Sequence, residues 1–350
     1  MTRKPRPIAV YALTSPAAGT ARKIAACLPE ARLFLPSRLA RPGEQAFEKL
    51  PSALAENFHL FQGHVVVAAA GIVVRALAYL LADKASDPAV VVVDQDGRFA
   101  VSLLSGHLGG ANELARKAAL ILGGQAVITT GTDASGKPGL ELIARDQGLK
   151  IENIEALSPI SRMVLEGEAV EVYDPENWLR PALSAWPDSF TLLSGLPSPP
   201  EDRPLVLVSH DLKSFPDSWL LVRPPSLAVG LGCNRGTSRE ELEQLLGEVL
   251  AHYGLSPDSL SLLASIEAKR KEPGLLALAE KLNLEIAFFP AHELESVSAP
   301  TPSAAVKKHM GVASVCEAAA MLAAGTDRLL VRKQKSANAT LAVALISSGS

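Results

Sequence analysis

The chain has 350 residues, a formal net charge of -3 and 48% hydrophobic residues. At roughly 100–200 residues per domain, that length predicts two or three domains with ample cores. The slight acidity gives no sign of nucleic-acid binding, so an anionic ligand has to be held by local donors. Cys27, Cys233 and Cys316 are odd in number and far apart. They argue against a disulfide framework and a zinc site, and suit a reducing, cytoplasmic setting.

Arg3, Lys4 and Arg6 precede the apolar run Ile8–Leu13. The run is too short for a signal peptide and breaks at Thr14-Ser15-Pro16, so it reads as a first strand. A helix follows over Thr20–Ala26. Residues Val65 to Ala82 imitate a membrane span, but Gly71 splits the run and Arg75 sits inside it. A charge there would cost roughly 2.5–3.5 kcal/mol in lipid. A strand Val65–Ala69, a glycine turn and a helix Ile72–Leu81 fit better, and no membrane partner is expected. Strands Ala89–Val93 and Phe99–Leu104 flank an Asp94–Gly97 hairpin turn. A helix Ala111–Leu122 and a strand Ala126–Thr130 come next.

This alternation predicts an α/β fold of mostly parallel open sheets with helices on both faces. After Asp133 the composition changes. A helix is expected over Gly139–Gln147, and residues 151–224 are richer in Pro and Trp, with strand-like pieces at Ala169–Tyr173 and Leu205–Val208. They read as a small middle domain. A second α/β unit opens with strand Leu227–Gly230 and loop Gly232–Gly236. Ser238 and Glu241 form a capping box for a helix reaching Tyr253. Strands Leu262–Ile266, Glu285–Phe289, Leu329–Val331 and Thr340–Leu345 alternate with helices Gly274–Leu282 and Val312–Ala324. The expected domains are 1–138, 139–224 and 225–350.

Chemistry concentrates in Phe99–Glu113, a strand, a glycine-rich loop and a helix start. Gly106, Gly109 and Gly110 let the backbone approach a ligand. The helix start offers an anion site, and His107 brings to it the side-chain type able to titrate near neutral pH. Ser105, Asn112 and Glu113 flank it. A tight turn with a capping acid explains the same pattern. The spacing is neither GxGxxG nor a P-loop, so no nucleotide is indicated. Thr129, Thr130 and Asp133 follow a strand, where open sheets bind ligands; an ordinary hydroxyl turn is the bland alternative. Arg75, after Gly71, could clamp a carboxylate or form a surface ion pair. Gly230–Thr237 is a second strand-glycine-helix segment, with Arg235 as an anion contact and Cys233 as a packing residue more than a nucleophile. Glu267, Lys269 and Glu272 follow strand Leu262–Ile266, Glu317 lies in a later helix, and Lys333 and Lys335 follow strand Leu329–Val331; a solvated charged face accounts for most of them.

Several of these segments together resemble one family. Gly71-Ile-Val-Val-Arg-Ala76, Asp87-Pro-Ala-Val-Val-Val-Val-Asp94, Ser102-Leu-Leu-Ser-Gly-His-Leu-Gly-Gly-Ala-Asn-Glu-Leu-Ala115 and Val127-Ile-Thr-Thr-Gly-Thr-Asp133 look like the N-terminal domain of the cobalt-precorrin-5A hydrolase family. Gly230-Leu-Gly-Cys-Asn-Arg-Gly236, Ala264-Ser-Ile-Glu-Ala-Lys269 and Gly311-Val-Ala-Ser-Val-Cys-Glu-Ala-Ala-Ala320 resemble its C-terminal domain. The chain departs from the family pattern at Gly131, where alanine is usual, and at Glu267, where the pattern has Asp.

The resemblance implies a hydrolase of the anaerobic cobalamin pathway. It opens the δ-lactone of cobalt-precorrin-5A and releases acetaldehyde, giving cobalt-precorrin-5B. The implied partner is the cobalt-precorrin macrocycle, with transient contact with other corrin-pathway enzymes. No cofactor is implied, because cobalt travels with the substrate. His107 or Glu113 is expected to assist a water, with Asp133 orienting it and the N–H groups of Gly109–Ala111 stabilising the oxyanion. Gly71, Arg75, Ser105, Gly106, Gly109, Gly110, Asn112, Thr129, Thr130, Cys233, Arg235, Glu267 and Lys269 are expected to contact substrate. The rival reading is a non-catalytic tetrapyrrole carrier that serves a methyltransferase.

Overall fold

The computed structural model describes residues 7–28, 31–82, 86–107, 109–131, 135–197, 202–301 and 314–348. It divides into two compact units, residues 1–142 and 143–350. The first unit carries one sheet and the second carries two.

The first sheet has seven strands: β1 (Ile8–Ala12), β2 (Arg32–Pro36), β3 (Gln45–Phe47), β4 (Gly63–Val67), β5 (Ala89–Val93), β6 (Phe99–Leu104) and β7 (Gln125–Val127). Their order is β3-β2-β1-β4-β5-β6-β7. The first five are parallel. β6 turns back antiparallel on β5, and β7 runs with β6. Every residue of β4 and β5 is buried, as a strand covered on both faces requires.

Helices α1 (Ser15–Cys27) and α4 (Ala111–Leu122) cover one face. Helices α2 (Leu50–Asn57) and α3 (Ala70–Leu77) cover the other. The covering side chains are largely alanine and leucine, which lets helices pack close to a valine-rich sheet. Thr14-Ser15-Pro16, expected to end a strand, also begins α1: Thr14 Oγ1 accepts the Ala17 N–H at 3.4 Å. That cap and a proline in the first turn start the helix five residues before the sequence suggested. Helix α5 (Leu140–Asp146) closes the unit and runs on past it.

The middle sheet is β10 (Phe190–Leu192), β9 (Val170–Tyr173), β11 (Leu205–Val208), β12 (Trp219–Arg223) and β8 (Lys150–Ile151), in that order. The first four are parallel and β8 is an antiparallel edge. The third sheet has the order β15 (Glu285–Phe289), β14 (Leu260–Ile266), β13 (Leu227–Cys233), β17 (Ala339–Leu345), β16 (Leu329–Lys335). β13, β14 and β15 are parallel, and β17 runs antiparallel to β13. Helices Arg239–Tyr253 and Pro273–Leu282 cover one face, and Val315–Ala324 the other. A Cβ on Gly230 would lie 1.9 Å from the Cys316 carbonyl oxygen, so only glycine lets that last helix reach the sheet. The α/β expectation therefore holds in all three sheets. Among the described residues no helix is long and apolar enough to cross a membrane.

Candidate functional site

Because β6 and β7 oppose the parallel set, their carboxyl ends lie beside the amino end of β5. The loop after β6 opens there. Ser105 holds a left-handed backbone (φ 55°), which costs a non-glycine residue roughly 1–2 kcal/mol. Its Oγ donates to the Asp87 carbonyl at 2.7 Å, tying the loop to the start of β5. The chain then folds back on itself. The N–H groups of Gly110, Ala111 and Asn112 donate to the carbonyls of His107, Ser105 and Gly106 at 2.9, 3.1 and 3.0 Å. Two of the three donors expected for an oxyanion, Gly110 and Ala111, are thus engaged inside the loop.

The glycines answer to the same fold. A Cβ on Gly109 would stand 2.3 Å from Ser105 Cβ, and one on Gly106 would stand 2.7 Å from Asn112 Oδ1. Their close approach is to their own loop. Gly110, the residue before α4, has φ 85° and open space around it. Asn112 is buried, and its Nδ2 donates to Thr130 Oγ1 at 2.9 Å, joining α4 to the segment after β7. Thr129 is exposed.

His107 is held by a residue the sequence reading passed over. Its Nδ1 meets Glu141 Oε1 in a short contact, and the two side chains are 12% and 7% exposed. Glu141 belongs to the first turn of α5, 34 positions along the chain. No spacing rule links such residues. The available signal was a carboxylate beside Leu140 on the apolar face of a short helix. Glu113, by contrast, points outward: its side chain is 61% exposed and pairs with Lys117 at 2.5 Å. Asp133 lies outside the described residues.

Gly71 and Arg75 sit elsewhere. They follow β4 on α3, at the end of the sheet away from the His107 loop. A five-residue strand separates the two ends by about 15 Å at roughly 3.3 Å per residue. Both residues are exposed, and Arg75 Nη1 donates to the Gly71 carbonyl at 2.9 Å.

In the third sheet, the carboxyl ends of β13 and β14 gather Cys233, Arg235, Lys269 and Glu272. Lys269 and Glu272 are almost fully buried and pair at 3.2 Å. Glu272 also accepts the Gly236 N–H at 2.5 Å. Burial works to raise the Glu272 carboxyl, but the Gly236 N–H and the Lys269 ammonium outweigh it and hold it below the usual range. Burial pushes the Cys233 thiol up to about 11, so it is protonated at neutral pH. Arg235 is exposed. Glu267 turns to Arg270 at 2.6 Å, on the surface.

Glu317 differs from the solvated face expected of it. It is fully buried and accepts the N–H groups of Thr301 and Lys333 at 2.9 and 3.1 Å. Burial acts to raise its pKa, yet these donors hold it low. A carboxylate that organises backbone can stay charged where an unpaired one would not.

Three family models match the chain: "Cobalamin synthesis G N-terminal" over residues 52–133, "Cobalamin biosynthesis central region" over 138–224 and "Cobalamin synthesis G C-terminus" over 227–344. A cobalt-precorrin-5A hydrolase of Priestia megaterium is 35% identical, covering 97% of this chain and 94% of that protein. A protein of the same description from Salmonella typhimurium is 34% identical, covering 92% of this chain and 93% of that one. Protein CobE of Sinorhizobium sp is 40% identical over 34% of this chain and 79% of its own length.

Proposed function

The chain belongs to the cobalt-precorrin-5A hydrolase family, and we propose that it opens the δ-lactone of cobalt-precorrin-5A with water, yielding cobalt-precorrin-5B and acetaldehyde. The observation that carries the reading onto particular residues is the largely buried His107 imidazole, held by Glu141 on a strained loop at a helix start. General acid–base catalysis needs such a group at a fixed place, with a pKa near working pH.

In this reading His107 takes a proton from water as the water oxygen bonds to the lactone carbonyl carbon. The acyl–oxygen bond then breaks, and the imidazolium returns the proton to the departing alkoxide. The hydroxyl so released loses its own proton as the adjacent carbon–carbon bond cleaves. Acetaldehyde leaves, the bonding pair stays on the macrocycle carbon, and a proton replaces it there. Cobalt arrives within the substrate, and the chain supplies acid–base groups and hydrogen-bond donors. Glu113 is a poor candidate for the base, since it is solvated and already paired with Lys117.

The test is anaerobic incubation of the purified protein with cobalt-precorrin-5A, assaying acetaldehyde. One acetaldehyde per lactone opened, over many turnovers, is expected. Tight binding of the macrocycle with no release would contradict the reading and favour a carrier.

A further inference from the structure

We infer that Glu141 is a positioning residue of the hydrolytic site, fixing the tautomer and orientation of His107; the inference rests on the reading of His107 as the base. An ionised carboxylate only accepts hydrogen bonds. With Glu141 ionised, its contact with His107 therefore places a proton on Nδ1. Proton transfer with water is then left to Nε2. Without the carboxylate, either nitrogen can carry the proton and the ring can turn.

Three features make the contact more than a surface pair. Both side chains are nearly buried, where a hydrogen bond to a charged group is stronger than in water. The ring sits on a loop fixed at both ends, by Ser105 on the Asp87 carbonyl and by the backbone bonds of residues 110–112. Glu141 lies in a helix that the preceding loop brings in close: a Cβ on Gly139 would stand 3.4 Å from His107 Nδ1. So the carboxylate comes from one element and the imidazole from another.

Two readouts test this, one independent of turnover. Ring-nitrogen NMR of the full-length protein, with the His107 signals assigned by their loss in His107→Ala, reports the tautomer without substrate. The wild type is expected to show the Nδ1–H form, and Glu141→Gln a shift toward Nε2–H. Turnover of Glu141→Gln is expected to fall by about 10²–10⁴-fold in kcat with KM changed less than threefold. Glu141→Asp should recover part of it. An Nε2–H tautomer in the wild type overturns the inference, as does a Glu141→Gln variant with wild-type kcat. If His107→Ala keeps full turnover, the reading of His107 as base falls and takes the catalytic role of Glu141 with it. The NMR result then still decides whether the pair exists. Circular dichroism of each variant separates loss of fold from loss of positioning.

Discussion

Residues 104–112 and residues 232–239 share a plan, in which a strand runs into a glycine-rich turn and then into a helix start. Their chemistry differs. In the first, a titratable imidazole is braced by one carboxylate, and the loop's own N–H groups close on its own carbonyls. In the second, the Lys269 ammonium and the Glu272 carboxylate neutralise each other, and the nearby thiol stays protonated. Glycine spacing after a strand announces a tight approach of backbone to something. Which side chains are then held in a reactive state depends on partners from distant parts of the chain.

Lys269→Met breaks the contrast at its most costly point. It leaves the Glu272 carboxylate buried without its cation, and losing one partner of a buried pair costs about 3–5 kcal/mol. Denaturant unfolding should show a loss of that size, while kcat of the folded protein stays within threefold. A large fall in kcat with little loss of stability would instead make Lys269 a substrate group.

The N-terminal unit offers a second histidine as a control. His64 is fully buried among Tyr11, Phe58 and Phe61, and burial lowers its pKa to about 4. Its folded pKa lies below its unfolded value near 6.5. The stability it contributes is therefore present above pH 6.5 and is lost as the pH falls through about 4. The loss amounts to about 3 kcal/mol, at 1.36 kcal/mol per unit. Unfolding free energies between pH 7 and pH 4 should show it, and His64→Phe should flatten that acid limb. An unchanged limb in the variant would assign the acid sensitivity to other groups.

Much of this arrangement was legible beforehand. Ala89–Val93 and Phe99–Leu104 are strands with the expected bounds, and Ala111–Leu122 is the expected helix, because an unbroken valine run and a helical alanine face are strong periodic signals. Strands β2 and β3 escaped notice. β3 is a three-residue edge strand, and β2, beside it, offers only Leu33, Phe34 and Leu35 between Arg32 and Pro36, too short an apolar run to stand out. In the site, His107, Asn112 and Thr130 were singled out; Asn112 and Thr130 bond to each other, while His107 turns to Glu141. The reversal of β6 against β5 was also legible, from Asp94–Gly97. It sends the His107 loop to one end of the sheet and leaves Gly71 and Arg75 at the other. No spacing rule pairs Glu141 with His107, 34 positions away. The capping box at Ser238 is half formed. Ser238 Oγ accepts the Glu241 N–H at 3.2 Å, while the Glu241 carboxylate goes to Ser336 and Asn338.

Smaller effects sharpen the comparison of the two loops. Gly109→Ala forces a Cβ into Ser105, and such overpacking costs about 1–3 kcal/mol. Gly236→Ala meets no neighbour and carries only the left-handed backbone cost, about 1–2 kcal/mol. Thermal unfolding of the two variants should rank them in that order, and turnover should suffer only for Gly109. Cys233→Ser should leave kcat within twofold. Alkylation of Cys233 should accelerate only as the pH approaches about 11.

The most direct measurement is the single-turnover rate of acetaldehyde release from cobalt-precorrin-5A, without oxygen and with enzyme in excess, for wild type and His107→Ala. The account predicts a fall of about 10²–10⁴-fold with the macrocycle still bound. An unchanged rate in a folded His107→Ala protein would remove the chemistry from this loop.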